Sequence, residues 1–292
     1  MLGLITDRLR FMESIAPRLG AFQLTLRTGT RTLVESLDLT LESGEVLGIL
    51  GANGAGKSTL LTVLAGLADP AQGQVTLDGH ALDGLPPLTR AQHIGLLPQG
   101  DEGGFFGSVA DFVALGRYPF RETRSKLIPP MVRQAHPERN QLAVRPEPVE
   151  GLVKPSLSDH AFDLAPHLAT WELTELARRP LDTLSGGERQ RARLAQLAVQ
   201  APHIVLLDEP LTHLDPAHQA RLLTWARSEA DAGHSVALTL HDPNWAACHC
   251  DRLLFLYGDG RWQLGTPADL LTPASLEALY GPGTAALWQQ KA

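Results

Sequence analysis

Two kinds of apolar spacing divide this chain. Phe22 to Leu26 and Leu37 to Leu41 alternate apolar and polar positions, the pattern of half-buried strands. Other segments are continuously apolar: Val46-Leu47-Gly48-Ile49-Leu50, Ile204-Val205-Leu206-Leu207 and Val236-Ala237-Leu238-Thr239-Leu240. Those read as strands covered on both faces, as in a parallel sheet. The stretch from Gly73 to Gly79 reads as a strand closed by the turn signal Asp78-Gly79, and the one from Ile94 as a strand ended by Pro98. The period turns helical over 59–65, 108–115, 160–176, 185–199 and 216–232. Such strand–helix alternation predicts an α/β fold with a mostly parallel sheet. Its chemistry then belongs at the carboxyl ends of the strands. Tyr257-Gly258-Asp259-Gly260-Arg261 reads as a hairpin turn.

The stretch from about 126 to 155 is different. It holds Pro129, Pro130, Pro137, Pro146, Pro148 and Pro155, few large apolar side chains and no period. Such a segment buries too little surface to offset its ordering entropy, so an exposed, disordered insertion is expected. Its wording over 131–140 and 144–151 resembles translated interspersed palindromic repeats of bacterial genomes. A regulatory loop is the competing reading. Residues 1–20 mix charges among apolar residues without the uninterrupted apolar core of a signal peptide, and read as an N-terminal extension. A formal net charge of −7 argues against a general nucleic-acid-binding surface. No apolar run approaches the roughly 18–20 residues that cross a bilayer. Cys248 and Cys250 are too close for an easy disulfide and too few for a structural zinc site, so they read as free thiols in a reducing compartment.

The candidate chemistry begins at Gly51-Ala52-Asn53-Gly54-Ala55-Gly56-Lys57-Ser58, which matches G-x-x-x-x-G-K-[ST] between an apolar strand and a helix opening at Thr59. Small residues let the backbone N–H groups close around a phosphate chain. The helix start and Lys57 add positive charge, and the Ser58 hydroxyl can hold Mg²⁺. Asp208 and Glu209 end an apolar strand; one acid there can help hold Mg²⁺ and the other can orient or deprotonate an attacking water. Leu184-Ser185-Gly186-Gly187-Glu188 opens another helix, with Ser185 placed as N-cap and Glu188 completing a capping box. Two first-turn glycines cost about 1 kcal/mol each relative to Ala, which suggests a need for close backbone approach to an anion.

With that segment the chain resembles the ATP-binding-cassette (ABC) ATPases, whose signature motif it matches. The rest of the family's set follows in order: phosphate loop, Gln99, signature, Asp208-Glu209, Leu214-Asp215 and His241. The resemblance spans roughly 20–282 outside the insertion. It implies a P-loop NTPase core with an antiparallel β subdomain and a helical subdomain. The expected domains are an extension (1–20), an ATPase domain (21–282, its helical part about 100–184) and a tail (283–292). It also implies roles: Lys57 on the β- and γ-phosphates, Ser58 and Asp208 on Mg²⁺, Glu209 as general base and His241 on the γ-phosphate. Gln99 would contact the metal or the attacking water. Ser185 and Gly187 would touch ATP bound to the opposite subunit of a homodimer, and Asp215 would help form that contact. One departure concerns the base. The family usually places an aromatic near Arg27-Thr28-Gly29 to stack on adenine; Thr28 stands in that place, and Phe22 is a substitute not preferred.

Val113-Ala114-Leu115-Gly116-Arg117-Tyr118-Pro119 and the C-terminal run through Leu279-Tyr280-Gly281 resemble cassettes that import iron–siderophore complexes, haem or cobalamin. The resemblance therefore implies an importer ATPase using ATP and Mg²⁺ at the cytoplasmic face of a bacterial inner membrane. Its partners would be separate permease subunits and, indirectly, a substrate-binding protein, with no nucleic acid. The alternatives are an exporter cassette and a soluble ABC ATPase acting on ribosomes or DNA. One phosphate loop and an insertion without heptads weigh against the latter.

Overall fold

The strands and helices follow from where side chains can be buried. The computed structural model describes residues 18–100, 105–121 and 162–287. The expected insertion at about 126–155, most of the expected N-terminal extension and the end of the tail lie outside the described residues. The chain divides into two units, and every element named here belongs to one of them, which includes residues up to Phe120 and from Leu164 onward. In chain order the elements are β1 (Leu19–Thr28), β2 (Arg31–Leu41), β3 (Val46–Leu50), α1 (Lys57–Leu64), β4 (Gln72–Leu77) and β5 (His80–Ala81). Then come α2 (Pro87–His93), β6 (Ile94–Leu97), α3 (Val109–Ala114), α4 (Ala165–Thr170), α5 (Gly186–Gln200), β7 (Ile204–Leu207) and α6 (Pro216–Asp231). The chain continues through β8 (Ser235–Thr239), α7 (Pro243–His249), β9 (Arg252–Leu256), β10 (Trp262–Gly265), α8 (Pro267–Leu270) and α9 (Pro273–Tyr280). β1 thus begins at Leu19, inside the segment expected to be an extension.

The central sheet has the order β10-β9-β3-β8-β7-β6. All its neighbouring pairs are parallel except β9 with β10. Every residue of β3, β7 and β8 is buried, as their uninterrupted apolar runs require. Alternate residues supply two cores. Val205 and Leu207 pack with Trp171, Leu194 and Leu222 on the helical side. Ile204 and Leu206 pack with Leu60 and Leu61 of α1 and with Leu24 and Leu26 of the second sheet. That second sheet is antiparallel, in the order β2-β1-β4-β5. Among the described residues no helix is long and apolar enough to cross a membrane. Cys248 and Cys250 are free, and burial pushes the Cys250 thiol up to about 12.

Two local expectations change. The simple alternation over Phe22 to Leu26 is interrupted: Leu24, Thr25 and Leu26 are all buried, while Phe22 is exposed. The cause is a register shift at Gln23, whose φ of 49° is held by its N–H and side chain donating to the Asp38 carboxylate. The helical period over 160–176 is not one helix. α4 starts with a proline in its first turn and stops before Glu172, which takes a φ of 52°, and a 3₁₀ turn follows at Thr174–Leu176. Arg191 caps the break, donating to the carbonyls of Trp171 and Glu172.

Parallel topology brings four loops together. Along the sheet, β3, β8, β7 and β6 are consecutive neighbours. Their carboxyl ends lead into Gly51, His241, Asp208-Glu209 and Gln99 respectively.

Candidate functional site

These four loops meet at one cavity of about 770 Å³. Asn53, Gly54, Gly56, Lys57, Ser58 and Thr59 form one wall. Gln99, Glu209 and His241 line it from the neighbouring strand ends, and Thr28, Arg31 and Leu33 from the antiparallel sheet. Gly51, Ala52 and Ala55 of the same loop are not among the residues that line it. A Cβ on Gly51 would lie 2.5 Å from the Leu256 carbonyl oxygen, so only glycine lets β3 turn there.

The start of α1 is open. Its N-cap is Gly56 at φ 104°, no side chain caps it, and its first turn carries no acid. The first amide N–H groups of a helix have no partner within the helix. At this helix they face the cavity with partial positive charge, an anion site by construction. Lys57 is buried, and its Nζ donates to the carbonyls of Gly51 (2.8 Å) and Ala52 (3.2 Å). Burial holds its pKa below the ordinary lysine range, partly offset by the carboxylates of Glu209 and Asp208.

The acids are positioned by a residue that sequence reasoning missed. Thr239 is only 1% exposed. Its hydroxyl donates to Asp208 Oδ1 at 3.0 Å and accepts the Glu209 N–H at 2.5 Å. A lone hydroxyl in the apolar run Val236 to Leu240 was the available signal. Asp208 is buried behind the cavity, while Glu209 lines it, with a backbone φ of 45°. His241 Nε2 lies 3.1 Å from Glu209 Oε1.

Ser185, Gly186, Gly187, Glu188 and Asp215 do not line this cavity. The start of α5 is closed by its own capping box: Ser185 Oγ accepts the Glu188 N–H at 3.3 Å, and the Ser185 N–H donates to Glu188 at 2.8 Å. The two glycines differ. A Cβ on Gly187 would meet the His213 carbonyl oxygen at 2.9 Å, whereas one on Gly186 would make only ordinary contacts of 3.7 Å or more. Asp215 caps α6 through the His218 N–H at 2.9 Å, and that bond with the His218 ring holds its carboxyl below the usual range. The body of α5 nevertheless reaches both cavity loops. Gln190 donates to the Pro210 carbonyl and Arg193 to the Pro98 carbonyl, next to Glu209 and Gln99.

The family model for ABC transporters matches residues 34–212, which includes the phosphate loop, Gln99, the Ser185–Glu188 segment and Asp208-Glu209. The chain belongs to the ABC transporter family. ATP hydrolysis is the general activity of that family, and ATP is its nucleotide. The hemin import ATP-binding protein HmuV of Pseudomonas aeruginosa is 40% identical, over 88% of this chain and 90% of its own length. The protein of that name from Bordetella pertussis is also 40% identical, over 90% of this chain and 92% of its own. Among solved structures, one described as an inward-facing ABC transporter of metal-chelate type superposes with a TM-score of 0.67 at 28% identity. That match covers 90% of this chain and 89% of the other. His241, beyond the matched segment, is joined to this ABC site through its contact with Glu209.

Proposed function

We propose that this protein is the ATP-hydrolysing subunit of a bacterial importer for metal chelates of the iron–siderophore, haem or cobalamin class. It works as a homodimer at the cytoplasmic face of the inner membrane, driving separate permease subunits that receive cargo from a substrate-binding protein. The cassette is assigned to 21–282, with its helical part at about 100–184. The observation that carries the reading is the convergence of an uncapped helix start, a buried lysine and a glutamate–histidine pair on one cavity. The importer assignment is supported by the names of the relatives, and the net charge of −7 disfavours a nucleic-acid role.

The cavity fits Mg·ATP. Glycines allow the loop to close around phosphate, the α1 start and Lys57 supply positive charge, and Asp208, Ser58 and Gln99 offer oxygen ligands for a hard cation. Mg²⁺, when bound there by Ser58, Gln99 and Asp208, would neutralise charge developing on the phosphates. Lys57 holds the β- and γ-phosphates, giving up its loop carbonyls to do so. Glu209 takes the proton of the attacking water, and His241 orients both that carboxylate and the γ-phosphate. Ser185, Gly186, Gly187 and Glu188 approach the nucleotide of the second copy, with Asp215 at that contact; their separation from the cavity of their own chain supports this arrangement.

The test is ATP turnover by the protein with its membrane subunits. Glu209→Gln should keep ATP binding and lose roughly 10²–10⁴ in turnover. Near-wild-type hydrolysis in that variant would remove Glu209 from the base role.

A further inference from the structure

The phosphate end of the cavity is furnished, but a nucleoside triphosphate also brings a flat, polarisable base. Among the described residues, no phenylalanine, tyrosine or tryptophan lines the cavity. Thr28, at the end of β1, is too short to offer a plane. Phe22 is turned away, its ring 2.8 Å from where a Gly20 Cβ would sit, and it does not line the cavity. The planar groups present that could stack on a base are the His241 imidazole, engaged with Glu209 at the strand ends, and the guanidinium of Arg31, the first residue of β2.

Arg31 is set in place from two sides. Its Nε donates to the Gly258 carbonyl at 2.9 Å, in the hairpin between β9 and β10. The same guanidinium lies 3.0 Å from the Cβ position of Gly258, and that position is 2.9 Å from the Ala55 Cα of the phosphate loop. Gly258, at φ 73°, therefore lets the guanidinium lie close to the outer turn of the loop. Leu33, two residues on along β2, closes on Gly56 of the same turn. The bond to Gly258 uses one of five N–H donors, and the side chain so held lines the cavity. A guanidinium is planar, delocalised and weakly hydrated, and stacks on aromatic faces.

We infer that Arg31, braced by Gly258, is the residue on which the nucleobase of the bound triphosphate stacks; this deepens the proposed ATP site and rests on it. Stacking reads the π-face of a base rather than its edge, so it tolerates any base. The site should consequently bind MgATP and MgGTP with affinities within about tenfold of one another.

Calorimetric titration of the full chain with MgATP, MgGTP and Mg·tripolyphosphate tests this, because tripolyphosphate carries the phosphates without a base. Arg31→Ala should weaken MgATP about tenfold or more and change tripolyphosphate by less than about twofold. Arg31→Lys keeps the charge but not the plane, and should bind MgATP within about threefold of the alanine variant. Equal losses for ATP and tripolyphosphate, or full rescue by lysine, would assign Arg31 to the phosphates and overturn the inference. Unchanged ATP affinity in Arg31→Ala would overturn it too. Wild-type protein that binds neither ligand would instead remove the ATP site beneath it, an outcome the unsubstituted titration identifies.

Discussion

Replacing Thr239 by valine removes a hydroxyl while conserving shape, so it isolates the bonds that hold the acidic strand end. The residue is 1% exposed, and its oxygen serves two partners, the Asp208 carboxylate and the Glu209 N–H. A hydrogen bond to a charged group contributes about 1.5–3 kcal/mol, and a buried N–H left without an acceptor costs about 1–3 kcal/mol. The two losses together amount to about 2.5–6 kcal/mol. Valine leaves no cavity to add to this figure. Against a folding free energy of about 5–15 kcal/mol, the loss should move the urea midpoint plainly. Thr239→Ser is the control, since it keeps the hydroxyl and loses one methyl, worth about 1 kcal/mol. Turnover at saturating MgATP should fall at least about tenfold in the valine variant, because Asp208 and Glu209 lose the group that fixes their relative position. A valine variant as stable and as active as the serine variant would refute the assignment of that hydroxyl as the organiser of the site.

Gly186→Ala should fold at least as stably as wild type, gaining up to about 1 kcal/mol of helix propensity, because its added methyl meets only ordinary contacts. A loss of hydrolysis despite an unchanged melt would then locate the need for glycine in a second copy, and full activity would argue against that approach. Gly116→Ala should destabilise by about 1–3 kcal/mol in thermal unfolding, since its Cβ would lie 2.2 Å from the Gln196 carbonyl of α5; an unchanged melt would contradict this packing. His203 stands in a row with His93 and His234 at the amino ends of β7, β6 and β8, with ring centroids 6.0 and 5.4 Å away. Burial, then His234 and His93, lower its pKa against an opposing pull from Asp78, while Glu229 pairs with His234. The folded state therefore holds that proton less readily than the unfolded chain. Stability should be full above the unfolded value near 6.5 and fall as pH drops below it. His203→Gln should show a smaller loss of urea midpoint between pH 7.5 and 5.5, and an equal loss would exclude His203 as the source.

What was legible in the chain was what local chemistry dictates. Ile204 to Leu207 and Val236 to Leu240 announce doubly covered strands because no polar face interrupts them, and both strands are fully buried or nearly so. The residues ending those strands could then be placed on one edge of a parallel sheet without knowing the strand order. The break at Glu172 was not legible, because it depends on Arg191, nineteen residues away in sequence, filling the exposed carbonyls. The irregularity at Gln23 likewise needs Asp38 on the neighbouring strand. Arg31 is the extreme case: it lies 227 positions from Gly258, whose carbonyl holds it. The signature glycines show where a local argument overreaches. Their shared helix cost suggested one shared reason, an anion brought close to the backbone. Yet Gly187 already has a reason inside its own chain, the His213 carbonyl, and only Gly186 remains without one. The capping box meanwhile occupies the Glu188 amide that an anion would otherwise find free. In the proposed dimer an approaching phosphate would therefore meet the Ser185 side chain and the first-turn amides, and Gly186, whose added Cβ meets only ordinary contacts within its own chain, is the position at which the proposal locates the size limit.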